Sequence, residues 1–160
     1  MAHPGRRRML GRWALAAAML CMAGTAFGLG SGSGGNGDKS GPLAAIEKKI
    51  EAGKYEEALA DLEAHIEKNR TSADAFNWLG YANRELGRYK QAQKAYARAL
   101  FLDPDHKGAH EYAGELRLQL GDLAGAEKHL AELDRICLLG CEEYDELKAE
   151  IAAWKKANGK

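Results

Sequence analysis

Residues 73–106 read "ADAFNWLGYANRELGRYKQAQKAYARALFLDPDH", and they decide the fold. Apolar residues recur at three- and four-residue intervals on both sides of "LGRY", so the stretch predicts two amphipathic helices joined by a tight turn. Gly87 suits the end of the first helix, where a left-handed backbone is tolerated best by glycine. Pro104 cannot continue the second helix, so Asp103 and Pro104 mark a boundary. Gly80 and Ala92 are small and let the two helices approach closely, while Leu79, Tyr96 and Leu100 are placed to fill the space between pairs.

Moving outward by 34 residues finds weaker copies, the pattern of a repeat array. Forward, residues 107–140 keep Gly114, Gly121, Leu123, Ala126, Leu130 and Leu133, with His110 in the aromatic slot and Ala113 in the leucine slot. Backward, residues 43–72 keep Gly53, Tyr55, Ala58 and Leu62 behind a degraded first helix, as terminal units often have. A further step places "CEEYDELKAEIAAWKK" as the first helix of a fourth unit, with Tyr144, Leu147, Ile151 and Trp154 forming its apolar stripe. Lys148 stands there in the slot of Gly80 and Gly114. No partner helix follows it, so the segment predicts a solvated closing helix with its lysine in water.

The middle unit resembles a tetratricopeptide repeat through Phe76, Leu79, Gly80, Gly87, Tyr89, Ala92, Tyr96, Ala99 and Pro104. Asn83 departs from it, standing where that family usually has tyrosine. The resemblance implies an all-α fold: a right-handed superhelical array of three hairpins plus a C-terminal capping helix. The units expected are about 42–72, 73–106 and 107–140, then a cap at 141–155 and a tail at 156–160.

Arrays of this family are scaffolds whose concave face, lined by the first helices, holds a peptide or partner helix. The resemblance puts Asn77, Tyr81, Arg84 and Glu85 on that face from the middle unit, and Glu111, Glu115 and Gln119 from the next. This lining is mixed and somewhat acidic, and it reads equally as a solvated charged face. The basic cradle with paired asparagines that some members use to grip a terminal carboxylate is missing. The expected partner is therefore another protein or a peptide of unspecified identity. The chain has no Ser–His–Asp spacing, phosphate loop or nucleophile elbow, so it reads as non-catalytic and calls for no cofactor. His106 and His110 are four apart, a spacing that can share a metal on one helix. However, His106 precedes the helix proper and His110 falls in a core slot, so no metal site is expected.

The N-terminus reads as an address. Arg6, Arg7, Arg8 and Arg12 precede an uncharged stretch, "WALAAAMLCMAGTAFG", in the order of a secretory signal. Residues 1–26 are expected to be the signal peptide, cut after Ala26, with residues 13–30 as an uncleaved inner-membrane anchor in the alternative. The chain would then be exported and periplasmic, meeting a membrane only through an uncleaved segment. Residues 27–41, rich in Gly and Ser, read as a flexible linker. The whole chain has 23 basic and 23 acidic residues; without the four arginines 19 face 23, about −4. Nucleic acid is thereby disfavoured, because phosphate binding needs a clustered basic face.

Cys137 and Cys141, in "CLLGC", remain open to several readings. Export and the loss of Cys21 with the signal would leave an even pair, which favours a disulfide. Gly140 breaks the helix between them, so their Cα atoms can come within about 4.4–6.8 Å. Such a bond would fix the docking angle of the closing helix. Free thiols, or a metal- or thiol-handling role using this pair, are the alternatives.

Overall fold

Local chemistry sets several of the helix boundaries. The computed structural model describes residues 41–159; the expected signal peptide (1–26) and nearly all of the expected linker lie outside the described residues. Seven helices occur among the described residues: α1 (Pro42–Glu51), α2 (Tyr55–Lys68), α3 (Ala73–Glu85), α4 (Tyr89–Leu102), α5 (Lys107–Gln119), α6 (Leu123–Ile136) and α7 (Glu142–Ala157). Pro42 opens α1, where its missing N–H costs nothing. Ser72 Oγ accepts from Ala75 N, His106 Nδ1 from Ala109 N and Asp122 Oδ1 from Gly125 N, satisfying amides at three helix starts. Gly53, Gly87 and Gly121 sit in the turns α1–α2, α3–α4 and α5–α6 with φ of 73°, 72° and 79°. Their spacing of 34 is the repeat written in backbone geometry.

The helices form three hairpins and a closing helix. The first helices α1, α3, α5 and α7 lie side by side, and each hairpin packs its second helix behind the first. Within the middle hairpin, a Cβ built on Gly80 would come within 2.5 Å of the Tyr96 ring, so glycine there is what lets that buried ring lie against α3. One apolar core runs through Ile46, Ile50, Leu62, Ala75, Ala92, Tyr96 and Leu116; a second joins Leu118, Ala126, Leu133, Leu147 and Ile151.

The third hairpin departs from the pattern of the second. Gly114 faces Leu147 of α7, whose methyls would lie 2.5 and 2.8 Å from an added Cβ. The small residue therefore makes room for the closing helix. Trp154 Nε1 donates to Leu118 O at 3.1 Å, and Lys155 pairs with Glu127 at 2.6 Å. These contacts carry α7 to Ala157, two residues beyond the expected end at 155. Lys148 is exposed, its Nζ 5.2 Å from the centre of the Tyr144 ring. Leu100 is only half-buried, so Tyr96 does most of the filling expected of the two.

Candidate functional site

Among the described residues, the face shared by α1, α3, α5 and α7 carries three of the five buried polar side chains, Asn77, Arg84 and Glu111. Asn77, Tyr81, Arg84 and Glu111 are each at most 8% exposed, Glu85 and Glu115 are partly buried, and Gln119 is exposed. The structure thus brings six of the seven expected face residues into one packed surface, with Gln119 at its edge. A solvated charged face does not describe Arg84 or Glu111.

Arg84 is the centre of this surface. Its guanidinium pairs with Glu115 on α5 and, at 3.3 Å, with its neighbour Glu85. It also lies 5.2 Å from the Tyr81 ring centre and 5.5 Å from that of Tyr112, within cation–π range. Burial by itself would lower the arginine's pKa; Glu115, foremost among the surrounding negative groups, holds it up. A buried guanidinium flanked by carboxylates and ring faces is held in one place.

Four aromatic rings form a floor beside it, three of which, Trp78, Tyr81 and Tyr112, are buried in the first apolar core. Tyr81 and Tyr112 meet edge-on at 5.0 Å, Trp78 lies 5.8 Å from Tyr81 and 6.4 Å from Tyr112, and Tyr55 lies 6.3 Å from Tyr81. Such tilted pairs satisfy the ring quadrupoles. Trp78 Nε1 donates to Glu47 Oε1 at 2.9 Å, which orients the indole. Asn77 Oδ1 is buried without a hydrogen-bond partner. Asn83, the departure from the tyrosine slot, donates its amide to Leu79 O at 2.8 Å and thus satisfies itself within α3.

Towards α7 the surface turns acidic. Burial first, then Glu146, Glu115 and Glu143, pushes the Glu111 carboxyl up to about 10. Burial also raises Glu85 and Glu150, and Glu115 adds to both shifts.

The remaining candidates fall elsewhere. Phe76 packs under the Arg98 guanidinium at 5.7 Å, and Tyr89 is 39% exposed at the start of α4. Ala92 and Ala99 are fully buried, and Leu79 packs at the edge of the first core. His106 and His110 do not share a ligand position: His106 caps α5 and meets Asp74 Oδ1 at 3.0 Å, which lowers the Asp74 pKa. His110 donates from Nε2 to the carbonyl of Pro104 at 2.9 Å and meets His129 Nδ1 through its own Nδ1 at 3.1 Å. No group of three or more His, Cys, Asp or Glu suited to a metal occurs among the described residues. The Cys137 and Cys141 sulfurs lie 2.03 Å apart, with Cα atoms 5.6 Å apart, where α6 gives way to α7. Leu138 and Leu139 between them are 88% and 101% exposed.

Sequence reading missed Trp78, Tyr112 and His129, and took Tyr55 only as a repeat residue of the first unit. A signal for the first two was available. Two side-chain contacts between successive first helices join residues 31 apart, Glu47–Trp78 and Arg84–Glu115. Pairing each face position with the one 31 later would have placed Tyr81 beside Tyr112.

Comparison with known proteins agrees with this architecture. Two family models, both described as tetratricopeptide repeat, match residues 49–110 and 84–137. Probable biofilm formation methyltransferases WspC of Pseudomonas aeruginosa and Pseudomonas putida are each 34% identical, over 88 and 86 residues. Those stretches are 55% and 54% of this chain, which spans only 21% and 20% of the two relatives' length. Among solved structures, the Yersinia enterocolitica type III secretion translocator chaperone SycD superimposes with a TM-score of 0.66 at 22% identity, covering 74% of this chain and 84% of that one. PcrH in complex with the chaperone binding region of PopD gives 0.64 at 25% identity, covering 73% and 90%. PcrH from Pseudomonas aeruginosa gives 0.61 at 27% identity, covering 74% and 89%.

Proposed function

The chain belongs to the tetratricopeptide repeat family, and from that premise we propose that it is a non-catalytic scaffold that binds a peptide segment of a partner protein on its first-helix face. The observation that carries this reading is the fixed arrangement of Arg84 against Tyr81 and Tyr112. Aromatic rings and a held arginine at the centre of a surface are the composition of binding hot spots. The similar chaperone PcrH, solved in complex with the chaperone binding region of PopD, lends support by its own mode of action. The acidic half towards α7 selects ligands carrying basic residues.

The proposal extends to location. The N-terminal sequence and the bonded geometry of Cys137 and Cys141 support export to an oxidising compartment of the cell envelope, with the bond pinning α7 at its start. Intact mass of the chain from its host, before and after reduction and alkylation, checks both parts. Retention of residues 1–26, or two free thiols at 137 and 141, counts against it.

Binding is tested by fluorescence anisotropy with labelled peptides that pair an apolar run with arginines, against acidic peptides of equal length. Tyr81→Ala and Glu115→Gln should weaken binding about tenfold each, the ~1–2 kcal/mol scale of a lost hot-spot contact. Lys94→Ala, on the exposed side of α4, should leave it unchanged. Equal binding by all three, with circular dichroism confirming their fold, would remove the first-helix face as the site.

A further inference from the structure

The second helices lie behind the first-helix face, and their outward positions return with the 34-residue period. Residues 56, 60, 63, 64 and 67 of α2 are exposed, and so are their equivalents 90, 94, 97, 98 and 101 of α4. The charges at these positions are Glu56, Glu63 and Glu67 on α2, but Lys90, Lys94 and Arg98 on α4. No acidic residue occurs anywhere in α4. Parts of both rows work against their own helices. Lys90 sits in the first turn of α4 and Glu67 in the last turn of α2, each the wrong sign for the helix dipole there. Lys90, Lys94 and Arg98 also repel one another at four-residue spacing. The chain does not neutralise them: among the described residues none of the six forms an ion pair, and Arg98 lies over the rings of Phe76 and Phe101 at 5.7 and 5.1 Å. On α6 the matching positions differ. Glu132 and Arg135 pair with each other there, and Arg135 also pairs with Asp105.

The two rows complement each other in size as well as in sign. Ala60 holds the register position of Lys94, Ala64 that of Arg98, and Ala97 that of Glu63. A long charged side chain on one helix thus matches a small residue on the other. As second helices of successive units, α2 and α4 run in the same direction with equivalent positions at similar heights. A two-fold axis along the groove between them, parallel to both, lays α2 of one copy over α4 of another, in both halves of the contact. Equivalent positions then meet. An axis across the helices lays α2 over α2 and α4 over α4, like charge on like. Charge therefore selects one of the two symmetric arrangements.

We infer that the outward face of α2 and α4 is an interface with a second copy of this chain, a back-to-back pair in which Glu56, Glu63 and Glu67 of each copy meet Lys90, Lys94 and Arg98 of the other. The alanines allow close approach, and Phe101, 74% exposed, adds apolar area at the end of the row. Exposed ion pairs contribute little one by one, so the pair is reversible and sensitive to salt. Both first-helix faces point away from the contact and stay open. The inference is independent of the peptide-binding reading, because pairing does not depend on what those faces hold.

Sedimentation velocity of the full chain tests this. The parent should pass reversibly from monomer to dimer as its concentration rises to about 100 µM, and its dissociation constant should rise at least tenfold between about 50 and about 500 mM NaCl, as screening shortens the reach of the charges. K90E/K94E/R98E makes both rows acidic, and E56K/E63K/E67K makes both basic. Each variant alone should stay monomeric, with circular dichroism confirming its fold. An equimolar mixture of the two should form a 1:1 heterodimer, since both halves of the contact then pair opposite charges. K128E, on the outward side of α6, should dimerise as the parent does. A parent that stays monomeric, a dimer indifferent to the two triple variants, or a mixture that does not associate overturns the inference. A monomeric parent that cosediments with phosphatidylglycerol vesicles, where K90E/K94E/R98E does not, assigns α4 to an anionic surface instead and overturns it as well.

Discussion

Replacing Gly80 by alanine tests the packing logic of the middle hairpin. Two effects oppose each other. Alanine inside a helix is favoured over glycine by about 1 kcal/mol. Against this, the new Cβ would lie 2.5 Å from Tyr96 Cδ1 and Cε1 and 2.9 Å from Cζ, where carbon atoms need about 3.5 Å or more. The ring must shift by about 1 Å, and it is only 1% exposed, held among Ala75, Ala92 and Leu62. Overpacking of this kind costs about 1–3 kcal/mol, towards the upper end for a rigid, buried ring. The expected net result is a destabilisation of about 1–2 kcal/mol, read as a lower urea midpoint at unchanged slope. Gly114→Ala is the internal comparison. Its obstacle is the end of the Leu147 side chain, which can change rotamer, so its loss should be smaller. In a Tyr96→Leu background the same Gly80→Ala change should cost less, because the smaller side chain leaves room for the Cβ. A midpoint for Gly80→Ala equal to or above that of the parent would refute the close approach of α3 to the Tyr96 ring.

Two further outcomes follow from the third hairpin and the cap. Burial, then His110, pushes the His129 pKa down to about 4, so in the folded chain it stays neutral where an unfolded histidine takes up a proton near 6.5. The unfolded state then binds more protons between about pH 6.5 and 4, so stability falls as pH drops through that window, by up to about 1.4 kcal/mol per unit; His129→Gln should flatten this slope in urea titrations at pH 7, 5.5 and 4.5, and an unchanged slope would discard the assignment. Reducing the Cys137–Cys141 bond releases a five-residue loop, worth about 2 kcal/mol by chain entropy; hydrogen exchange should then quicken in α7 while α3 and α4 keep their protection, and equal protection of α7 in both redox states would show that the bond does not hold the cap.

What was legible in the sequence is what the backbone settles locally. Gly87 stops α3, Pro104 bars continuation of α4, and the 34-residue return of glycine at 53, 87 and 121 gives the hairpin turns without any knowledge of packing. The closing helix was legible for a related reason: its stripe of Leu147, Ile151 and Trp154 has helical period, and a lysine in a glycine slot needs open solvent. The chemistry of the face was only half legible. Face positions followed from the repeat register, but whether Arg84 would stand in water or be buried between Glu115 and two rings depends on how the next unit leans against it.

That lean has a regular form. Glu47 and Trp78 are separated by 31 residues, Arg84 and Glu115 by 31, Asp74 and His106 by 32, and Asp105 and Arg135 by 30. Each separation is short of the 34-residue period by two to four residues, roughly one helical turn. On α3, Tyr81 and Arg84 therefore meet α5 about one turn before their own equivalent positions. The consequence reaches the first-helix face. Trp78 and Tyr81 are on adjacent turns of α3, and Tyr81 plus 31 is Tyr112, so the aromatic floor is one diagonal row crossing two units. Arg84, one turn after Tyr81, then falls on the next diagonal with Glu115, one turn after Tyr112. Charge and ring rows thus run parallel because they obey the same offset. A substitution that changed the stacking of the second and third hairpins would displace both rows together, so loss of the Tyr81–Tyr112 contact and loss of the Arg84–Glu115 pair should be strongly coupled in a double-mutant cycle.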